Sequence, residues 1–185
     1  MKNSVENHAF VGAKKDSQQM RLLTSAAIFA AMIMVMTAYI GHVPDGINGG
    51  YIHFGDSLIY VAACLLPTPY ALAAAAIGGG LADLLTAPVW TLPTIIIKML
   101  IALPFTSRKG RIVNVHNIAA AILAFFISGF GYYIANVFFM GGFSGGLLAY
   151  MLGGSLIQSC GSAIVFVIFG LFLDKMGFKK KFLKD

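Results

Sequence analysis

Charge is scarce in this sequence. Charged residues fill 11% of its 185 positions, against roughly 25% in an ordinary soluble domain. With 58% hydrophobic residues and a mean hydropathy of +0.83, the chain cannot clothe a water-facing surface, which excludes a soluble globular domain. Cysteine is nearly absent. The only two, Cys64 and Cys160, lie inside apolar runs, which excludes a disulfide framework or a Cys/His metal centre and reads as packing. Missing as well are the GxxxxGKS/T phosphate loop and HExxH. ATP hydrolysis by the first device and the zinc hydrolase chemistry of the second are therefore not expected. The four histidines, His8, His42, His53 and His116, are far apart in sequence. No nucleophile–base constellation emerges, and the chain reads as a non-enzyme.

What is present is apolar sequence in blocks. Six segments stand out, from about Leu22 to His42, Ile52 to Leu66, Tyr70 to Ala87, Thr91 to Phe105, Ile118 to Met140 and Leu147 to Leu173. A straight span needs about 20 residues at about 1.5 Å each. The expectation is an all-α integral membrane protein with six transmembrane helices, the second and fourth of them short. Short spans point to binding sites in transporters. Residues 1–20 are polar, without an apolar signal core, and read as a cytosolic tail. Residues 21–175 form the six-helix membrane domain, and 176–185 a basic cytosolic tail.

Lysine and arginine set the orientation. Lys2, Lys14, Lys15 and Arg21 precede the first segment; Arg108, Lys109 and Arg111 lie between the fourth and fifth; Lys175, Lys179, Lys180, Lys181 and Lys184 follow the sixth. Six spans put all three clusters on one side, and the positive-inside rule makes that side, with both termini, cytosolic. The loops around Asp45, Val89 and Ser144 would face outward. The net charge of +6 then reflects topology and attraction to anionic lipid, not nucleic-acid binding.

The remaining basic residue, Lys98, lies inside the fourth segment, and Asp56 and Asp83 lie inside the second and third. Ionisable groups at membrane depth are expensive and default to a functional reading. All three fall in the outer half. Tyr132 and Asn136 of the fifth segment, and Tyr150 near the start of the sixth, share their layer. Alternatives stay open for each. Asp83 and Lys98 form either a structural ion pair or a pair that also shapes a ligand site. His53, Tyr51 and Trp90 are either interfacial or site residues. Ser155 and Gln158 suit interhelical hydrogen bonding. The first segment carries Ala26, Ala27, Ala30 and Ala31, two interleaved small-xxx-small pairs that let a helix approach closely. Gly79, four residues before Asp83, offers a similar close approach.

The run "GYIHFGDSLIYVAACLLPTPYALAAAAIGGGLADLLTAPVWTLPTIIIKML", Gly50 to Leu100, resembles the substrate-binding S components of energy-coupling factor (ECF) vitamin transporters. It is most similar to the branch linked to hydroxymethylpyrimidine, thiamine-precursor and pyridoxine uptake. The resemblance rests on Gly50 to Asp56, on the Gly-rich Gly78 to Leu84, on Trp90 with Pro93, and on Ile95 to Lys98. Where relatives often carry Glu-Gly after the lysine, this chain has Leu100, Ile101 and Ala102.

The resemblance implies capture of a small vitamin or precursor from outside by Tyr51, His53, Asp56, Asp83, Trp90 and Lys98, and Tyr132 and Asn136 join them as candidates by their depth in the same layer. Tyr51 and Trp90 would stack on a flat ring, and a Gly49–Gly50 turn would close the mouth. It also implies docking of the Ala26/Ala27/Ala30/Ala31 strip on a transmembrane coupling subunit. Two partner ATPases would use ATP, with no cofactor in this chain. Two aspartates against one lysine leave the pocket net negative, which favours a neutral or weakly cationic heterocycle over a carboxylate. A secondary carrier with an Asp56/Asp83/Lys98 proton relay, or a membrane enzyme or assembly factor acting on a lipid-soluble substrate, remains the alternative on sequence alone.

Overall fold

The computed structural model describes residues 2–40, 42–44 and 51–184. Asp45 and the Gly49–Gly50 turn lie outside the described residues. Helix α1 spans Lys2–Ala38, so the polar N-terminal stretch continues the first helix. A short antiparallel pair follows, β1 (Val43–Pro44) with β2 (Tyr51–Ile52), and Val43 opposite Ile52. Then come α2 (Asp56–Leu65), α3 (Thr68–Thr86), a 3-10 turn at Pro88–Trp90, α4 (Thr91–Ala102), α5 (Val115–Met140), α6 (Gly145–Lys175) and α7 (Phe178–Lys184).

Local chemistry sets the breaks. Pro67 holds Leu66 extended (ψ 151°) and ends α2. The Asn114 side chain caps α5 by accepting from Asn117 N, and Ser144 caps α6 by accepting from Leu147 N. Gly141 ends α5 at φ +73°, a left-handed conformation that favours glycine.

Helix α3 lies between α1 and α4, α5 packs on α4, and α6 packs on α5 and α2. Three consecutive glycines make the α3 contacts close. A β-carbon on Gly78 would come within 2.7 Å of the Ala30 carbonyl oxygen, and one on Gly80 within 2.6 Å of Ile95 Cγ1. Helix α2 is central: of its 10 residues only Leu58 is not buried.

Among the described residues, four helical stretches are long and apolar enough to cross a membrane: Lys15–Ala38, Thr68–Thr86, Val115–Phe139 and Gly145–Lys175. Asp56–Leu65 and Pro88–Ala102 are shorter apolar helices, as their segments suggested. The polarity is inverted relative to a soluble protein. Lys98, Asp56, Asn117, Asn136 and Ser162 are each 0% exposed, whereas Leu92 is 70% and Ile168 66% exposed. That distribution suits a hydrocarbon surround.

The three basic clusters converge on one end. The Arg21 guanidinium lies over the Phe182 ring at 5.9 Å, joining the first cluster to the last. Asp174, at the end of α6, accepts from Ile112 N (2.8 Å) and Val113 N (3.0 Å), joining the middle cluster to the last.

Candidate functional site

At the opposite end, a cavity opens among β2, α3, the 3-10 turn, α5 and α6. It encloses about 590 Å³ including its mouth. Tyr51, Ile52 and His53 form one edge and Asp83 and Trp90 another; Ser128 and Tyr132 come from α5, and Tyr150, Met151, Gly154, Ser155 and Gln158 from α6. Of the residues singled out in sequence, Tyr51, His53, Asp83, Trp90 and Tyr132 line this space. Asp56, Lys98 and Asn136 do not.

Asp56 and Lys98 lie in the core beside the cavity as the only ion pair among the described residues, Lys98 Nζ to Asp56 Oδ1 at 2.6 Å. This corrects the expected Asp83–Lys98 pair. Two physical reasons decide it. The Lys98 stem packs over Gly79, where a β-carbon would come within 2.7 Å of Lys98 Cγ, so the missing side chain leaves it room. Asp83 is taken by nearer hydroxyls: Tyr51 Oη donates to one carboxylate oxygen and Thr94 Oγ1 to the other. Asp56, in the first turn of α2, also suits the positive end of that helix.

Gln158 ties the buried pair to the cavity wall. Its Nε2 donates to Asp56 Oδ2 at 2.9 Å, and its Oε1 accepts from His53 N at 3.4 Å. His53 Nδ1 accepts from Gly55 N at 3.0 Å, so the imidazole is neutral in this arrangement and carries its proton on Nε2. Thr94 gives its single proton to Asp83, so its 2.9 Å contact with Tyr132 uses the Tyr132 proton. A hydrogen-bonded chain thus runs Tyr51–Asp83–Thr94–Tyr132 from the hairpin to α5.

Trp90 stands edge-to-face on Tyr132 (centroids 5.8 Å apart) and on Phe139 (5.2 Å), and Tyr51 stacks on His42 at 3.9 Å. Asn136 is buried one turn beyond Tyr132, and its Nδ2 donates to Met151 Sδ at 3.5 Å.

Sequence reasoning assigned Ser155 and Gln158 to helix packing and passed over Thr94, Ser128, Met151 and Gly154. A signal existed. Met151, Gly154, Ser155 and Gln158 recur at three- and four-residue spacing, one face of a helix, and Thr94 and Ser128 stand one turn before Lys98 and Tyr132.

The small-residue strip divides. Ala26 and Ala30 are buried in the chain's own core, at 7% and 6% exposure, and Ala30 meets Gly78 of α3. This removes them from any outward docking face. Ala27 and Ala31 are exposed.

An apolar exterior and several helices long enough to cross a membrane define a multi-pass membrane protein. The model of the family described as "ECF-type riboflavin transporter, S component" matches residues 17–175, and the chain belongs to that family of transporter components. Comparison with curated proteins and with solved structures gives no match.

Proposed function

We propose that this chain captures a flat, uncharged or weakly cationic heterocyclic vitamin, or a vitamin precursor, at the outer face of the cell membrane. It hands the ligand to a transmembrane coupling subunit driven by two ATPase subunits. The observation that carries this reading is the composition of the cavity wall. Aromatic Tyr51, Trp90, Tyr132 and Tyr150 surround Asp83, the one lining carboxylate among the described residues, while the nearby Asp56 charge is neutralised by Lys98. Such a wall suits a planar ring with polar edges and disfavours a carboxylate ligand.

The family's printed description points to riboflavin, and the Gly50–Leu100 motifs to pyrimidine- or pyridine-type vitamins. A heteroaromatic ring with polar edge atoms is the chemistry they share. The exposed α1 face bearing Ala27 and Ala31 is proposed as the contact for the coupling subunit. The basic end is proposed as cytosolic, so that the cavity opens outward.

The test is mass spectrometry of small molecules that co-purify with the chain in detergent. Titration with riboflavin, 4-amino-5-hydroxymethyl-2-methylpyrimidine and pyridoxine follows. Submicromolar binding of one of them supports the reading and names the branch; a chain that binds none of the three and carries no heterocycle overturns it.

A further inference from the structure

Ser128 sits in the middle of α5, 1% exposed, and lines the cavity one turn before Tyr132. Its hydroxyl has no hydrogen-bond partner among the described residues. A serine or threonine in an apolar helix commonly returns its hydroxyl to the carbonyl four residues back. This chain does so elsewhere: Thr24 Oγ1 donates to Met20 O at 2.9 Å, and Thr86 Oγ1 to Ala82 O at 2.8 Å. Ser128 does not. Among the described residues it is the only one that both lines the cavity and carries a buried side-chain polar atom without a partner. Leaving such a group unsatisfied costs on the order of 1–3 kcal/mol.

Two polar residues of the same wall, Asp83 and Tyr132, already have partners. Asp83 accepts from Tyr51 and Thr94, and Tyr132 donates to Thr94. These residues hold one another in place whether or not the cavity is filled. The Ser128 hydroxyl differs in having its donor and its acceptor capacity unused.

We propose that Ser128 is a ligand-contact residue of the cavity, its hydroxyl hydrogen-bonding a ring nitrogen or exocyclic polar atom of the captured heterocycle. The inference rests on the reading of the cavity as a heterocycle site and adds the residue that reads the ring edge.

The experiment uses full-length chain in detergent and whichever of the three probes binds the wild type most tightly. Ser128→Ala is expected to weaken that probe roughly tenfold. Its melting temperature without ligand should stay unchanged or rise, because deleting an unsatisfied buried hydroxyl removes no bond. Ser128→Thr, which keeps the hydroxyl, should stay within about threefold of wild type by the same reasoning. Affinity of Ser128→Ala within twofold of wild type overturns the proposal and leaves the hydroxyl to water. A lower ligand-free melting temperature, or failure to fold, also overturns it by assigning the hydroxyl to structure. A wild-type chain that binds none of the probes overturns the heterocycle reading and this inference together, whereas tight wild-type binding with an indifferent Ser128→Ala overturns this inference alone.

Discussion

Lys98 and Asp56 are each fully buried, so their pairing is obligatory for both. Removing one partner leaves a bare charge at membrane depth, at a cost of about 3–5 kcal/mol. Lys98→Met or Asp56→Leu alone is therefore expected to lose most folded protein. The double variant, which deletes both charges and keeps the volume, should fold with a melting temperature near wild type. Detergent melts of the three variants check this; a double variant no better than the singles would mean that the Gln158 contact to Asp56 matters more than charge balance. The sequence made Asp56, Asp83 and Lys98 conspicuous, because ionisable residues are rare inside apolar runs. It did not reveal who pairs with whom. That choice depends on the space left by Gly79 and on two hydroxyls reaching Asp83 first, and none of those contacts is close in sequence.

Helix α1 shows how far periodicity carries. Its apolar composition announced a membrane helix, but alanine is apolar enough for the core and small enough for docking, so composition could not tell the two faces apart. The fold does, because Gly78 of α3 draws Ala30 inward and Ile33 and Thr37 continue the buried stripe. The faces predict opposite phenotypes. Ala30→Leu should lower the melting temperature by several degrees, since overpacking a tight contact costs typically about 1–3 kcal/mol. Ala31→Trp should leave melting and ligand titration near wild type while abolishing uptake in cells that carry the coupling module. Loss of binding in Ala31→Trp would assign that face to the chain's own fold. The short α2 and α4 were legible as short. Their role was not, because the burial of α2 on nearly all sides follows from where α1, α3, α4 and α6 stand.

At the scale of the whole molecule, charge and cavity divide the protein between two ends. The contacts of Arg21 with Phe182, and of Asp174 with Ile112 and Val113, gather three basic clusters that are separate in sequence. The cavity lies at the other end, reached from β2, the Pro88–Trp90 turn, the later part of α5 and the first turns of α6. Placing the basic end in the cytosol by the positive-inside rule makes the cavity face outward, as an importer's capture site must. The opposite orientation would aim the site at the cytosol and end the capture reading. Single cysteines decide between them in a background where Cys64 and Cys160 are replaced by alanine and serine, the first being buried and the second exposed on an apolar helix. Val89→Cys and Phe143→Cys are 52% and 85% exposed at the cavity end, and should react with a membrane-impermeant maleimide added to intact cells. Lys109→Cys, exposed in the basic loop, should react only after the membrane is opened. Because moving one cation shifts the charge bias, Gly110→Cys serves as the companion that keeps all basic residues. Labelling of position 110 in intact cells, with positions 89 and 143 protected, would reverse the topology and remove the outward-facing site with it.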